Sequence, residues 1–211
     1  MPFRKRKFAL GVEPLEGKRL LSAGPRIARA VETTSVDASA FSGMTTLEAL
    51  QGFAAAYPSM AGGPRYNAIY DLNHNGQIGQ DDGRILLRLL PPVGPKIPLN
   101  VQVKLAPQDQ ARGGLPQNSG GVTISRQPTV IGRTQPGSLI FSGTGTTDLK
   151  LRGPAAVADE SGYFEFTPTM TDGINAFDVQ VVDRYGRQML RSFPIYWTGF
   201  AQYEAAHPRS T

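Results

Sequence analysis

The residues best equipped for chemistry lie in one short stretch, Tyr70-Asp71-Leu72-Asn73-His74-Asn75-Gly76-Gln77-Ile78-Gly79-Gln80-Asp81-Asp82. A hard divalent cation takes oxygen ligands. One tight loop can supply them from its positions 1, 3, 5, 7 and 12, with glycine at position 6 for the sharp turn. Counted from Asp71, those positions fall on Asp71, Asn73, Asn75, the backbone carbonyl of Gln77, and Asp82, and position 6 is Gly76. Ile78 at position 8 is an apolar residue able to anchor the loop to a core. The alternative is a β-hairpin, because Asn-Gly favours a type I′ turn and Asx residues turn the chain without a metal. Against it, Gly79, Gln80, Asp81 and Asp82 make a poor second strand. His74 reads as an exposed loop residue, since the only other histidine is His207, close to the C-terminus.

With Asp at its twelfth position, the loop resembles the calcium loop of dockerin modules, an EF-hand type in which loop and helix are repeated. The resemblance covers about residues 40–92. One intact loop is present, and the upstream half, roughly 44–66, supplies a helix without a second acidic loop. The resemblance implies Ca²⁺ as cofactor, Asp71, Asn73, Asn75, Gln77 and Asp82 as its ligands, and a helical calcium-binding module over 44–92. Two carboxylates and two neutral amides give little ligand charge, so the expected affinity is weak, on the order of 10⁻⁴ to 10⁻³ M. The short Asp at position 12 also makes Mg²⁺ harder to exclude.

Two helices must hold this loop. Thr45 and Glu48 have the spacing of a capping box. Leu47, Leu50, Phe53, Ala54 and Tyr57 follow at helical spacing, and Pro58 ends the run. Gly62-Gly63-Pro64 then forces a turn. After the loop, Ile85, Leu86, Leu89 and Leu90 form one face of a helix that stops at Pro91-Pro92. Residues 25–43 are small and polar and read as a linker. Residues 93–98 read as a stiff proline-rich spacer.

Beyond the spacer the period switches to two. Leu99, Val101, Val103 and Leu105 alternate with Asn100, Gln102 and Lys104, the pattern of a half-buried strand. Further strands are expected at Val122–Ile124, Thr129–Ile131, Ser138–Phe141, Leu149–Leu151, Tyr163–Phe166, Phe177–Val182 and Met189–Trp197, with Phe177, Val179 and Val181 facing inward. Turn signals separate them at Gln135-Pro136-Gly137, Glu160-Ser161-Gly162, Thr171-Asp172-Gly173 and Arg184-Tyr185-Gly186. This spacing predicts an antiparallel sandwich over 99–198. Thr129 to Ser138, Ala158 to Phe166, Asp172 to Asn175 and Val182 to Arg187 resemble the recurring segments of bacterial immunoglobulin-like repeats, with Arg187 where Asn is usual. That resemblance implies an all-β immunoglobulin-like domain used as a stalk, spacer or adhesion module, without catalytic residues.

The charge is uneven. Residues 1–29 hold eight basic and two acidic residues, a net +6, so residues 30–211 carry −1 of the chain's +5. A neutral body argues against electrostatic capture of nucleic acid by the folded part. Val12-Glu13-Pro14-Leu15-Glu16 with Arg19-Leu20-Leu21-Ser22-Ala23 resembles the Leu-Glu-Pro-Arg…Leu-Leu segment of extracellular bacterial proteins. It implies an address over 1–24 and an extracellular or cell-surface location, the alternative being a basic tail. No run of 18 apolar residues occurs, so no membrane-spanning helix is expected.

Enzyme motifs are sparse. The chain has no cysteine, which excludes thiol nucleophiles and thiolate metal sites. Neither histidine is placed to act as the base of a triad, and there is no G-x-S-x-G. Gly143-Thr144-Gly145 lacks the Gly-Lys of a phosphate loop and reads as a β-turn. Tyr196 and Trp197 could stack on a sugar, but two aromatics on a final strand more often belong to a core or rim. The expectation is a multi-module, non-catalytic protein with a structural or adhesive role and an unknown protein or polysaccharide partner. The alternative is a carbohydrate-binding or hydrolase-accessory protein that docks through the dockerin-like part.

Overall fold

Thr45 starts the first helix, α1 (Thr46–Ala56), as its spacing with Glu48 predicts. The Thr45 hydroxyl accepts from the Glu48 amide at 3.2 Å, and the Glu48 carboxylate accepts from the Thr45 amide at 2.6 Å. These bonds satisfy amides that the first turn leaves without helical partners. The computed structural model describes residues 38–111, 121–144, 153–171 and 173–199. The N-terminal address segment, the strand expected at Leu149–Leu151, Gly145, Asp172 and the tail with His207 lie outside the described residues.

The second helix, α2 (Gln80–Leu89), follows the loop directly. Its buried face is Gly83, Leu86 and Leu87, with Leu90 partly buried beyond the helix end, while Ile85 and Leu89 flank it. The expected face of Ile85, Leu86, Leu89 and Leu90 is therefore rotated, because Leu87 and Gly83 complete the i, i+3, i+4, i+7 stripe. A short two-stranded ribbon, β1 (Ser59–Met60) with β2 (Gln77–Ile78), ties the end of α1 to the loop through Ser59 opposite Ile78. No helix among the described residues is long and apolar enough to cross a membrane.

The rest is mostly β-sheet. β3 (Gln102–Leu105), β5 (Val130–Arg133) and β8 (Tyr163–Phe166) make one sheet, ordered β3-β5-β8. β4 (Gly121–Thr123), β6 (Leu139–Thr144), β7 (Ala155–Val157), β9 (Gly173–Val182) and β10 (Gln188–Trp197) make the other, ordered β4-β10-β9-β6-β7. One core lies between the sheets, with Leu105, Val130 and Phe164 on one side and Ile140, Phe177, Val179, Val181 and Ile195 on the other. Phe177, Val179 and Val181 are buried as their alternation predicts.

Three strand features differ from expectation. β4 pairs with β10 in parallel, with Gly121 opposite Ile195, so the larger sheet is not wholly antiparallel. β7 is Ala155-Ala156-Val157, whose alanines carry little strand propensity and left it unmarked. Gly143 and Thr144 continue β6 opposite Asp178 and Phe177 instead of closing a turn.

The helices lie on the outer face of the five-stranded sheet. Leu139, Phe141 and Val182 belong to the same buried cluster as Leu50, Phe53, Tyr57 and Leu86. The Phe141 ring sits 5.0 Å from Tyr57 and 6.4 Å, edge-on, from Phe53. Gly83 permits this approach: a Cβ there would lie 2.9 Å from both Leu139 Cδ1 and Phe53 Cζ. Phe41, inside the stretch read as a linker, ends a short 3-10 helix and is buried, its ring 5.8 Å from Tyr70. Among the described residues the helices and sheets belong to one compact unit.

The proline-rich segment after α2 is fastened to the sheets as well. The Gln135 side chain, 2% exposed, donates to the Pro95 carbonyl and accepts from the Ile97 amide, both at 2.7 Å. Arg187 adds a bond to the Ile97 carbonyl at 2.9 Å. Gly137, with a φ of +67°, brings its backbone so close to Val93 that a Cβ would sit 2.8 Å from the valine side chain.

Candidate cation loop

The loop between Tyr70 and α2 is built by local side-chain-to-backbone bonds. Asn73 Oδ1 accepts from the Asn75 amide at 3.1 Å, and Asn75 Oδ1 accepts from the Gln77 amide at 2.8 Å. Such Asx turns are what these short amides favour. Gly76 takes a φ of +78°, open to glycine without strain, and His74 a φ of +54°.

The two carboxylates sit at opposite ends of the loop and both turn inward. Asp71 is 4% exposed and Asp82 fully buried. Asp71 Oδ1 accepts from the Asn75 amide at 3.0 Å. Its Oδ2 accepts from the Gly76 amide at 2.9 Å and from the Tyr66 hydroxyl at 2.6 Å. Asp82 Oδ1 accepts from the Asn73 amide at 3.1 Å, and Oδ2 from the Gly79 amide at 2.9 Å, which closes the loop onto the first turn of α2.

Electrostatics separate the two acids. Burial pushes Asp71 up, but the Tyr66 hydroxyl, the Gly76 and Asn75 amides and nearby His74 together hold it below the ordinary aspartate value. Burial pushes Asp82 up and wins there. The Gly79, Asn73 and Leu72 amides oppose it, and the charge of Asp71 adds to the rise. Tyr66 is raised chiefly by its bond to Asp71. A buried carboxylate whose charge is disfavoured is relieved by a cation held beside it.

The donor set suits a hard cation. An ionised carboxylate has about four lone-pair sites, so both Asp82 oxygens and Asp71 Oδ1 keep acceptor capacity after these bonds, as do the Asn73 and Asn75 oxygens. Among the described residues neither Asp71 nor Asp82 forms an ion pair with Lys or Arg; the acids that do are Asp81, with Arg84 at 2.8 Å, and Asp183, with Arg187 at 2.6 Å. No three His, Cys, Asp or Glu side chains gather as a metal-binding group among the described residues. The loop therefore offers two carboxylates completed by amide and carbonyl oxygens. His74 is exposed.

Sequence reasoning placed Asp71, Asn73, Asn75, Gln77 and Asp82, and the structure brings them into one loop. It missed Tyr66, whose hydroxyl reaches Asp71 from five residues upstream, and the pairing of Ser59 with Ile78. Nothing in the local pattern marks either contact. Gln77 contributes no side-chain bond to the loop's carboxylates; the position calls for its carbonyl.

The other polar side chains of the recurring segments have structural duties. Asp159 Oδ1 accepts from the Ser161 and Tyr163 amides, at 2.8 and 2.9 Å. Asp183 Oδ1 accepts from the Tyr185 and Arg187 amides at 2.9 Å. Asn175 binds Thr171 and Gly173. Each shapes a turn. Trp197 is partly buried against the core with Arg126 stacked 4.5 Å from its ring.

No family model matches the chain, and no curated protein sequence matches it either.

Proposed function

We propose that this chain is a non-catalytic, calcium-binding structural or adhesive protein of the bacterial cell surface or exterior. In this reading residues 44–92 form a dockerin-like helical element with one EF-hand-like loop, and 99–198 form an immunoglobulin-like sandwich. One observation carries the calcium assignment. Asp71 and Asp82 are buried at the two ends of an oxygen-lined loop, and among the described residues no Lys or Arg pairs with either. Asp71, Asn73, Asn75, Asp82 and the Gln77 carbonyl would hold the ion, whose charge would offset the buried carboxylates and fix the start of α2.

The partner is a protein or polysaccharide at the cell surface, and the near-neutral folded body argues against nucleic acid. Docking to an enzyme complex through α2 fits less well, because Leu86 and Leu87 are already buried in the cluster that holds Phe53, Leu139 and Phe141. The test is calorimetric titration of the full chain with Ca²⁺ and, separately, Mg²⁺. Saturable Ca²⁺ heats lost in Asp71→Ala support the reading; unchanged heats in that variant refute it.

A further inference from the structure

Tyr66 stands outside the loop yet holds one of its ends. Its hydroxyl donates to Asp71 Oδ2 at 2.6 Å, and the Gly76 amide donates to the same oxygen at 2.9 Å. Asp71 Oδ1 receives one donor, the Asn75 amide at 3.0 Å. The two oxygens are therefore unequal. Each carboxylate oxygen has about two lone-pair sites, so Oδ2 is filled while Oδ1 keeps one open. Asp82 differs, because only backbone amides donate to it among the described residues. Tyr66 is thus the one side chain among the described residues that donates to either acid of the loop.

Tyr66 is itself held from two sides. Its ring packs against the buried cluster of the helices, and its amide donates to the Gly63 carbonyl at 3.1 Å. The neighbouring Arg65 guanidinium donates to the Tyr57 and Pro58 carbonyls at 3.3 and 3.0 Å, which ties this turn to the exit of α1. The hydroxyl therefore meets Asp71 from a fixed point. We propose that Tyr66 is a positioning residue of the cation loop: by filling Asp71 Oδ2 it presents Oδ1 as a single-oxygen ligand, already oriented before the ion arrives. The inference rests on the calcium reading and adds to it how Asp71 would hold the ion. Ca²⁺ accepts carboxylates through one oxygen or two, so the ion does not impose the choice and the protein can. Charge-assisted bonds to a carboxylate are short and strong, and losing a contact that orients a metal ligand typically weakens metal binding about 10- to 100-fold.

The experiment compares the full chain with Tyr66→Phe, which keeps the ring and removes the hydroxyl. Tyr70→Phe is the control, since the Tyr70 ring lies in the same cluster and its hydroxyl donates to neither acid. Calorimetric titration with Ca²⁺ gives the affinities. Infrared difference spectra, saturating Ca²⁺ minus chelator, give the ligation: the antisymmetric and symmetric carboxylate stretches lie far apart for one-oxygen ligation and close together for two. The expected result is wild-type affinity in Tyr70→Phe and at least about tenfold weaker binding in Tyr66→Phe, with circular dichroism unchanged in both. The widely split component should be present in the wild type and in Tyr70→Phe, and should narrow in Tyr66→Phe as Asp71 turns its second oxygen to the ion. No calcium heats in the wild type would sink the calcium reading and this inference with it. Normal wild-type heats with equal affinity in Tyr66→Phe, or equal weakening in Tyr70→Phe, would overturn the role of Tyr66 alone. A wild-type spectrum without the widely split component would do the same, and that measurement needs no substitution.

Discussion

Calcium should raise the melting temperature of the helices and the sheets together. A ligand that binds only the folded state stabilises it by RT ln(1 + [L]/Kd), which at tenfold Kd is about 1.4 kcal/mol. In a domain of this size each kcal/mol moves Tm by roughly 2–4 °C, so the rise should be about 3–6 °C. It should be shared because Leu139, Phe141 and Val182 of the large sheet lie in the same cluster as Phe53 and Leu86 of the helices. Detaching the helical layer would strip the outer face of β6, which is buried through Leu139 and Phe141. The assay is differential scanning calorimetry of the full chain at neutral pH, with Ca²⁺ at about ten times Kd or with chelator. One transition that shifts as a whole, and no shift in Asp71→Ala, is the expected outcome. Two transitions of which only one moves with Ca²⁺ would refute the reasoning that the shared core couples the layers.

Other perturbations probe the same construction. Phe141→Ala removes a buried ring packed on Tyr57 and Phe53 and should cost about 3–5 kcal/mol in denaturant melts; a loss near zero would mean the helices do not rest on the sheet. Arg187→Ala leaves Asp183, 2% exposed, buried without its partner, and should cost about 3–5 kcal/mol by urea unfolding, with Arg187→Lys recovering only part. Gln135→Ala strips the Pro95 carbonyl and Ile97 amide of their bonds and should cost about 1–3 kcal/mol, with faster amide exchange confined to residues 93–98. Asp159 is governed by burial, which raises it, against bonds from Ser161 and Tyr163 and the charge of Arg133, which lower it further. Its folded value is depressed, so its stabilisation is present above the unfolded aspartate value and lost as pH falls through the folded one. Asp159→Asn should flatten that acid limb in pH-dependent melts.

What the sequence made legible is mostly local. The capping box at Thr45 and Glu48, the Asx turns at Asn73 and Asn75, and the inward set Phe177, Val179, Val181 are each decided within a few residues of chain, so spacing alone identifies them. The attachment of the helices to the sheet is decided across the fold. Two features hinted at it. The unbroken run Leu139-Ile140-Phe141 is what a strand buried on both faces carries, and Gly83 interrupts a helix where a Cβ would strike Leu139 and Phe53. Read singly, the first suits any core strand and the second any loop-to-helix junction. Tyr66, Gln135 and Arg187 make contacts at 5, 40 and 90 residues' separation, and none of these side chains belongs to a periodic pattern.

The proline-rich segment decides whether the loop's state reaches the sheets. A free spacer would let the helical layer move alone, and seven residues from Pro91 to Ile97 would leave ample reach for it. Instead the segment is tied at successive points. The Thr46 hydroxyl donates to the Pro91 carbonyl at 3.3 Å, which joins the exit of α2 to the start of α1. Val93 packs on Gly137, and Gln135 and Arg187 then hold Pro95 and Ile97. Prolines at 91, 92, 95 and 98 restrict the unfolded chain, so fixing this path costs less entropy than the ~1–2 kcal/mol per residue of an ordinary segment. A cation that orders Asp82 at the start of α2 therefore acts on a helix pinned at both ends, by Gly83 against β6 and by the strap beyond Leu90. Its effect has no hinge in which to dissipate before it reaches the sheets.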